Sequence, residues 1–435
     1  MAAIHAFSEL RPPLDIDAAL LEADRCLFCA GPYAPPPCAT ACPVGVDVPR
    51  FVREIADGRP LAAARTIFAD NLLGATCARV CPVEVLCESA CVLLHEGRRP
   101  IEIARLQRYA TDAALDANLP LRSLAPRNGR RVAVVGAGPA GLACAGELAA
   151  HGFDVAVYDA GDEVGGAVRT AIAPYRQVVD PLPAERDALA RLGVEFHFGV
   201  RIESREELAR LVDASDAVFL GVGLGADRRL DCPGTELAGF WQSLEFVEKL
   251  KHGDPPTVGD HVIVLGGGNT AIDVARESVR LGAAHVTLAY RRTRDLMPAY
   301  AFEVDEAAEE GVAFEWLAAP AEVLGVDRVE AVLFDRLQLG EPDSSGRNAV
   351  EPTGERFMLV ADTVVAAIGQ SAQPELRDWS LTGEGGGIGV DVAGRSSLPH
   401  VYAGGDAVNG GASVVQAVAE GRRAARAIEE DLCRA

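Results

Sequence analysis

Apolar residues recur at helical intervals through the first 120 residues of the chain. Three stretches carry the pattern: Val48 to Ile55, Pro60 to Asn71, and Ile101 to Leu115. Side chains three or four positions apart lie on one face of a helix, so each stretch predicts an amphipathic helix. The pattern therefore predicts a small all-helical domain over residues 1–120.

After Pro126 the pattern changes to short apolar runs that alternate with glycine-rich turns and helical segments. The first such unit predicts a strand from Arg131 to Val135, a helix to about His151 and a strand ending at Asp159. A second unit, from Val262 to Tyr290, repeats this order. Strand–helix–strand units form parallel sheets with helices on their faces, so the sequence predicts an α/β fold with two Rossmann-like domains.

Composition narrows the class of protein. The chain has 435 residues, is 49% hydrophobic, and has 41 basic against 63 acidic residues, for a net charge of −22. A charge of this size repels nucleic acid and anionic membranes. Since there is no apolar run long enough to span a membrane and no secretion signal at the start, we expect a cytoplasmic protein with no nucleic-acid or membrane partner.

Eight of the 11 cysteines lie between Cys26 and Cys91. The first group has the spacing C-x2-C-x8-C-x3-C-P and the second C-x3-C-P-x4-C-x3-C. In a large chain without a secretion signal, such clusters indicate metal or cluster ligation rather than disulfides. Runs that end in Cys-Pro are typical of proteins in which the last cysteine binds a neighbouring cluster, which favours two [4Fe-4S] clusters. A structural zinc site or a redox dithiol is the alternative.

The first glycine turn has the dinucleotide-binding pattern, with a strand before it and a helix after it. Gly136 permits the tight turn, Gly138 lets a pyrophosphate approach the backbone, and Gly141 allows the helix to pack closely on the strand. Asp159, at the end of the next strand, is placed to bind ribose hydroxyls. The intervening Pro139 and Ala140 complete the predicted site.

The second glycine turn comprises Gly266 and Gly268 followed by Asn269 and Thr270. Its following strand ends in Arg291 and Arg292 instead of an acidic residue. Guanidinium groups suit a ribose 2′-phosphate, which favours NADPH over NADH. Asp295 could alternatively take the acidic role.

A third glycine-rich segment lies near the end of the chain. A strand over 401–403 leads into a turn that contains Gly405 and Asp406, and a helix begins near Ser413 and Val414. This order is typical of the second FAD-binding motif in flavoproteins that bind two dinucleotides. The start of the helix would face the flavin edge that gains negative charge on reduction. We therefore expect FAD in the first Rossmann-like domain and NAD(P)H in the second.

These motifs occur together in one known family. The chain resembles the small subunit of glutamate synthase and the corresponding half of dihydropyrimidine dehydrogenase in the order of its motifs. That order is the cysteine-rich domain, GAGPAG, Gly165-Gly166 with Arg169 downstream, GGGNTAID, YRR and AGGD. The resemblance covers nearly the whole chain from about Arg25. The C-terminal tail looks most like the separate NAD(P)H-oxidising subunit of bacterial dihydropyrimidine dehydrogenase.

The resemblance implies specific ligands. One cluster would be held by Cys26, Cys29, Cys38 and Cys91, and the other by Cys42, Cys81, Cys87 and Gln107, which leaves Cys77 spare. Gly166 and Arg169 would contact FAD. The resemblance also implies a discontinuous FAD domain over 121–245 and 366–435, with the NAD(P)H domain at 246–365 inserted between its parts. The polar segment 341–355 is predicted to be a solvent loop of the inserted domain.

The implied function is an oxidoreductase that feeds electrons to a partner. NAD(P)H would reduce FAD, and the clusters would pass single electrons to an FMN-containing subunit, first of all that of a dihydropyrimidine dehydrogenase. The sequence predicts no catalytic acid, base or nucleophile of the protein's own. A glutamate synthase small subunit, a ferredoxin-linked NADP oxidoreductase, and a non-enzymatic redox sensor or scaffold are the alternatives.

Overall fold

In a computed structural model, residues 9–29, 35–342, 348–383 and 385–433 are described. The chain forms two compact units. One contains the described parts of 10–168, 179–225 and 372–433, and the other contains Glu9, 169–178 and the described parts of 226–371. The predicted domain boundaries at 120, 245 and 365 stay predictions. No helix in the described part of the chain is both long and apolar enough to cross a membrane.

The cysteine-rich region of the first unit is helical, as predicted. Asp15 and Asp47 each accept a backbone hydrogen bond at the start of a helix, which satisfies an otherwise unpaired N–H group. Phe51, Ile67 and Leu106 are fully buried between the helices. The helices span Ile16–Asp24, Pro37–Thr40, Val48–Ala56, Pro60–Asp70, Gly74–Val80 and Ile103–Asp116, with 3-10 turns at Val83–Val85 and Val92–Glu96.

The same unit contains a five-stranded parallel sheet. The strands lie in the order Val401–Ala403, Ala217–Leu220, Arg131–Val135, Asp154–Asp159 and Val194–Phe198. Because the strand from near the end of the chain pairs at one edge, the C-terminal segment is part of this sheet. The helices span Pro139–Ala150, Leu182–Arg191, Arg205–Ala214, Glu375–Asp378, Asp406–Asn409 and Val414–Cys433.

The second unit contains another five-stranded parallel sheet. Its strands lie in the order Phe240–Gln242, Thr363–Ala366, His261–Leu265, His285–Tyr290 and Val312–Trp316. An antiparallel sheet of Ala318–Leu324, Ala331–Pro342 and Asn348–Val360 follows. The helical segments span Pro174–Arg176, Ser243–Lys251, Asn269–Arg280, Arg294–Leu296 and Ala301–Glu309. Three further short elements lie at Ala167–Thr170, Leu224–Asp227 and Gln370–Ala372.

The prediction of a solvent loop over 341–355 is wrong for the residues that the structure describes. Asn348–Val360 is a strand paired with Ala331–Pro342, and Leu339 faces Val350 in the register. The strand lies at the edge of its sheet, where Glu351 to Arg356 are exposed. Edge strands tolerate charged residues and proline, so the polar sequence reflects exposure and not the absence of backbone pairing. Residues 343–347 lie outside the described part.

Candidate cofactor sites

Four cysteines of the helical region line one cavity. Cys26 and Cys29 follow the first helix, Cys38 lies in the short helix Pro37–Thr40, and Cys91 precedes a 3-10 turn. The rest of the wall is apolar, with Val48, Val52, Ile101 and Ile103 among its residues. The structure thus brings together the four cysteines that the resemblance assigns to one cluster.

The chemistry of this cavity fits a cationic iron–sulfur centre. Burial raises the pKa of the Cys26 thiol and raises that of Cys38 to about 12, because an apolar wall disfavours an isolated thiolate. A cluster of iron ions supplies the positive charge that makes thiolates stable in such a place. Each iron of a [4Fe-4S] cluster takes one thiolate, so four thiols around one space form a suitable donor set.

The other cysteines form a second group around Cys81. A hydrogen bond with the Cys77 side chain, together with burial and the nearby Cys87 and Cys42, raises the pKa of Cys81 well above its ordinary value. Burial likewise raises the pKa of Cys87 and of Cys42. Cys42, Cys81 and Cys87, predicted to hold the second cluster, are therefore neighbours.

The resemblance gives Cys77 no cluster to bind, yet Cys77 is buried beside Cys81. The amide of Gln107, by contrast, donates a 2.7 Å hydrogen bond to the carbonyl oxygen of Gly74. The signal that could have identified Cys77 is its spacing, because it lies four positions, about one helical turn, before Cys81. In the structure the Cys81 N–H donates a 3.1 Å hydrogen bond to the Cys77 carbonyl oxygen. Cys77 is thus an alternative to Gln107 as the fourth ligand of the second cluster.

The first glycine turn leaves room where a pyrophosphate is expected. Gly136 has a φ of +102°, and a side chain there would collide with the carbonyl oxygen of Gly221. A Cβ on Gly141 would lie 1.9 Å from the oxygen of Gly136, so the helix packs tightly on the turn. A Cβ on Gly138 would meet nothing closer than the Cα of Gly166 at 4.0 Å. Pro139 opens the helix, whose N-terminus is a suitable place for phosphate.

Asp159 lies at the end of the strand Asp154–Asp159 and contacts the same turn. Its carboxylate accepts hydrogen bonds from the N–H groups of Ala137 at 2.6 Å and Gly161 at 2.7 Å. The side chain is therefore held by the backbone on both sides. This places its carboxylate next to the glycine turn, as the dinucleotide-binding pattern requires.

The C-terminal motif packs against the first glycine turn. Gly405 has a φ of +75°, and a Cβ there would lie 2.9 Å from that of Ala140. Burial raises the pKa of Asp406, whose carboxylate accepts the Ala412 N–H at 3.1 Å. The last helix begins at Val414, and the hydroxyl of the preceding Ser413 donates a 3.0 Å hydrogen bond to the Gln416 side chain. Arg169 lies in the short helix Ala167–Thr170.

The second glycine turn lies in the other unit and has the same design. Gly266 has a φ of +146°, whereas a Cβ on Gly268 would have nothing within 4 Å. Asn269 accepts the Tyr300 N–H at 3.0 Å, and Thr270 follows it in the helix. The turn thus combines one position that requires glycine with one open position that a ligand can approach.

Two arginines follow the strand His285–Tyr290 of this unit. Arg291 is exposed, and its side chain has no hydrogen bond or ion pair with any residue in the described ranges. Arg292 donates a long hydrogen bond of 3.4 Å to the Asn348 carbonyl. Arg291 therefore offers a full guanidinium to an anion.

A buried ionic network lies near this turn, and no motif in the sequence indicates it. Arg176 donates to Asp273 at 2.6 Å and pairs with Glu303 at 2.9 Å, and all three side chains are buried. Asp273 is the last residue of the GGGNTAID segment. This motif therefore contributes a buried ion pair with Arg176 in addition to its glycine turn. The network anchors residues 174–176 to the helices of this unit.

Comparisons with known proteins agree with this organisation. Residues 130–421 match the pyridine nucleotide-disulphide oxidoreductase family, and residues 3–119 match dihydropyrimidine dehydrogenase domain II, 4Fe-4S cluster. The NADPH glutamate synthase small chain of Escherichia coli (strain K12) is 36% identical, over 97% of this chain and 93% of that protein. The β subunit of NADP(+)-dependent formate dehydrogenase from Moorella thermoacetica is 36% identical, over 92% of this chain and 60% of that protein.

Solved structures support the fold. Mycobacterium tuberculosis FprA in complex with NADPH has a TM-score of 0.61 at 22% identity, over 71% of this chain and 85% of that one. The predicted fold class is confirmed. The family models and the curated relatives confirm the oxidoreductase class and the cofactors FAD, NADPH and 4Fe-4S. The dihydropyrimidine dehydrogenase subunit is not identified by these matches. The chain belongs to the glutamate synthase small-chain family of pyridine nucleotide-disulphide oxidoreductases with an N-terminal 4Fe-4S domain.

Proposed function

We propose that this protein is an electron-input subunit, which oxidises NADPH and delivers single electrons to a separate FMN-containing subunit. The observation that carries the proposal is the cavity lined by Cys26, Cys29, Cys38 and Cys91 in a chain that also has two dinucleotide-binding turns. When bound, FAD accepts a hydride from NADPH and the clusters carry electrons one at a time. The protein supplies binding, orientation and exclusion of water.

For FAD, the pyrophosphate would approach Gly136, Gly138 and Gly141 at the start of the helix Pro139–Ala150. Gly138 is open, and backbone N–H groups at a helix start bind anions. Asp159 and Asp406 would hold the sugar and sugar-alcohol hydroxyls. The remaining proposed contacts are Ala140, Gly166, Arg169, Gly405, Ser413 and Val414.

For NADPH, Gly266, Gly268, Asn269 and Thr270 would receive the pyrophosphate. Arg291 would bind the ribose 2′-phosphate, since its guanidinium is exposed and unpaired within the described ranges. Arg292 would assist, although its Nε is already directed at Asn348. A guanidinium pairs with a phosphate through two parallel hydrogen bonds, which gives both affinity and selectivity.

For the clusters, the first would be bound by the four cysteines of the cavity, and the second by Cys42, Cys81 and Cys87 with a fourth ligand. Gln107 is the fourth ligand implied by the resemblance to dihydropyrimidine dehydrogenase. The position of Cys77 beside Cys81 favours the thiol, because thiolates bind iron–sulfur clusters more commonly than amides do. A four-thiol set would be a departure from the dihydropyrimidine dehydrogenase pattern.

Two partners are consistent with this function. The subunit of dihydropyrimidine dehydrogenase that reduces pyrimidines is supported by the family matched at residues 3–119. The large chain of glutamate synthase is supported by small chains that match this chain over nearly their full length. Anaerobic co-purification from the native cell would identify the bound partner, and assays with uracil, thymine, and 2-oxoglutarate plus glutamine would then separate the two.

The electron-input role itself is tested without the partner. The anaerobically purified chain should reduce ferricyanide steadily with NADPH and should contain flavin, iron and acid-labile sulfide. A preparation that holds these cofactors but turns over no NADPH would contradict the proposal and favour a sensor.

A further inference from the structure

A basic pocket lies on the unit that contains the cysteines. It is formed by Arg395, Arg422, Arg423 and Arg426 together with Val44 and Val392, and its volume is about 390 Å³. The three arginines of the last helix lie at i, i+1 and i+4, so they project from neighbouring positions on one side of that helix. No feature of the dinucleotide turns or of the cysteine cavity accounts for this pocket.

The charge of the pocket contrasts with that of the protein. The chain has a net charge of −22, but the wall of the basic pocket has four arginines against Glu430. Arg395 pairs with Asp431 and Arg422 with Asp70. The Arg423 side chain has no hydrogen bond or ion pair within the described ranges, and among them the Arg426 guanidinium pairs only with Glu147, at 4.0 Å. Two exposed guanidiniums are therefore available for an external anion.

The pocket is connected to the proposed cluster site. Arg422 donates hydrogen bonds to the carbonyl oxygens of Val44 at 3.2 Å and Asp70 at 2.8 Å. Val44 lies two residues after Cys42, a proposed ligand of the second cluster. Pro43 and Val44 also form part of the pocket wall, so a group bound in the pocket touches the segment that carries Cys42.

The rim of the pocket presents an apolar side chain in a fixed position. Val392 is 91% exposed at the tip of a turn. The turn is held by Asp391, whose carboxylate accepts the N–H groups of Ala393 and Arg395, both at 2.9 Å. A partner that covers the pocket could bury this side chain and pair with the arginines at the same time, since interfaces combine apolar contacts with arginine.

We propose that the basic pocket is the docking surface for an acidic segment of the electron-accepting partner protein. This inference rests on the electron-input function proposed above. Carboxylates of the partner would pair with Arg423 and Arg426, and Val392 would be covered by an apolar partner residue. The arginines of the pocket attract an acidic segment, whereas the rest of this strongly acidic chain repels it. Charge complementarity would therefore direct such a segment to the pocket. Docking here would place the acceptor next to the segment that carries Cys42.

The test uses two protein acceptors of opposite charge, acidic rubredoxin and basic cytochrome c, with ferricyanide as a small acceptor. The variant is Arg423→Glu/Arg426→Glu in the full chain. Its control is Arg191→Glu/Arg205→Glu, which changes the net charge equally at two exposed arginines outside the pocket. We expect kcat/KM for rubredoxin at low ionic strength to fall roughly tenfold or more in the pocket variant and much less in the control. The pocket variant should keep its ferricyanide rate and its cytochrome c rate.

Three outcomes would overturn the inference. Rubredoxin reduction that falls equally in both variants would show a general charge effect. Inorganic phosphate that protects the wild-type chain from heat at constant ionic strength, but not the pocket variant, would assign the pocket to a free anion. An unchanged rubredoxin rate in Arg423→Gln/Arg426→Gln, a milder variant that guards against misfolding, would remove the pocket from the docking surface. Loss of the ferricyanide rate in the wild-type chain would instead contradict the electron-input function.

Discussion

The hydroxyl of Tyr175 donates a 2.5 Å hydrogen bond to Asp273 Oδ1, and both side chains are buried. The same carboxylate receives the guanidinium of Arg176. Arg276 and Arg280 also lie over the Tyr175 ring, at 5.0 and 4.4 Å from its centre. Arg276 and Arg280 have their own carboxylate partners in Glu306 and Glu310, so Asp273 compensates chiefly the buried Arg176.

Replacing Asp273 should destabilise this unit more than replacing Tyr175. Asp273→Ala leaves Arg176 with Glu303 alone and should cost about 3–5 kcal/mol, the usual effect of breaking a buried ion pair. Tyr175→Phe removes one hydrogen bond to a charged group and should cost about 1.5–3 kcal/mol. Urea unfolding of both variants measures the difference. Equal losses would show that the carboxylate does not compensate Arg176.

Glu185 should make stability depend on pH. It is fully buried and accepts the N–H groups of Ala75 and Thr76, and burial raises its pKa to about 7. Below the ordinary pKa of 4.5 the group is neutral in both folded and unfolded chains, so it has no effect. As the pH rises from 4.5 to 7, only the unfolded chain ionises, and the folded state loses stability, by ~3 kcal/mol at 1.36 kcal/mol per pKa unit.

Glu185→Gln removes this pH dependence while keeping the shape of the side chain. The variant should therefore gain stability relative to the wild type above pH 7, and the gain should shrink toward pH 4.5. Thermal unfolding at several pH values measures it. A difference between the two proteins that is constant across this range would contradict the raised pKa of Glu185.

Arg291 should determine the preference for NADPH. Arg291→Ala removes a charge-assisted hydrogen bond worth about 1.5–3 kcal/mol, so KM for NADPH should rise by roughly tenfold or more, with NADH unaffected. Steady-state rates with both coenzymes and ferricyanide measure the effect. Arg294→Ala is the control, because Arg294 pairs with Asp305. A similar loss with both coenzymes would exclude a contact with the 2′-phosphate.

Cys77 and Gln107 can be compared by iron content. We expect Cys77→Ala to lose one cluster and Gln107→Ala to keep both, because Cys77 lies beside Cys81 whereas the Gln107 amide is bonded to Gly74. Iron and acid-labile sulfide per flavin, measured anaerobically, distinguish the variants. The reverse result would assign Gln107 as the ligand, as the resemblance to dihydropyrimidine dehydrogenase implies.

Two glycine variants should separate folding from coenzyme binding. Gly141→Ala places a Cβ 1.9 Å from the oxygen of Gly136, where only backbone movement could relieve the contact, so flavin content should fall sharply. In Gly268→Ala the added Cβ has no atom within 4 Å, so the variant should fold normally. Its methyl group would nevertheless occupy the space where the NADPH pyrophosphate is expected to approach the turn. Normal flavin content in Gly141→Ala would mean that FAD still binds when the helix moves away from the carbonyl oxygen of Gly136.

The sequence predicted the dinucleotide-binding elements closely because their signals are local. The predicted strand from Arg131 to Val135 coincides with the observed one, and the helix predicted to end near His151 ends at Ala150. A buried strand, a glycine turn and a helix start are each encoded within a few neighbouring residues.

Features that depend on distant contacts were not predictable in this way. Thr76 and Glu185 are 109 positions apart, and only folding brings them together. Short helices were missed for a different reason: the four-residue spacing of Cys77 and Cys81 is visible in the sequence, but the helix Gly74–Val80 is too short to show a clear periodicity. The strand Asn348–Val360 was missed because polarity reports exposure to solvent, whereas a strand is defined by its backbone hydrogen bonds.

The bonds that Arg422 makes with Val44 and Asp70 have a consequence for biosynthesis. The segment that contains Val44 and Asp70 is translated more than 300 residues before the helix Val414–Cys433 that carries Arg422. A nascent chain therefore lacks these hydrogen bonds until Arg422 has been translated. A chain truncated before Arg422 would never form them.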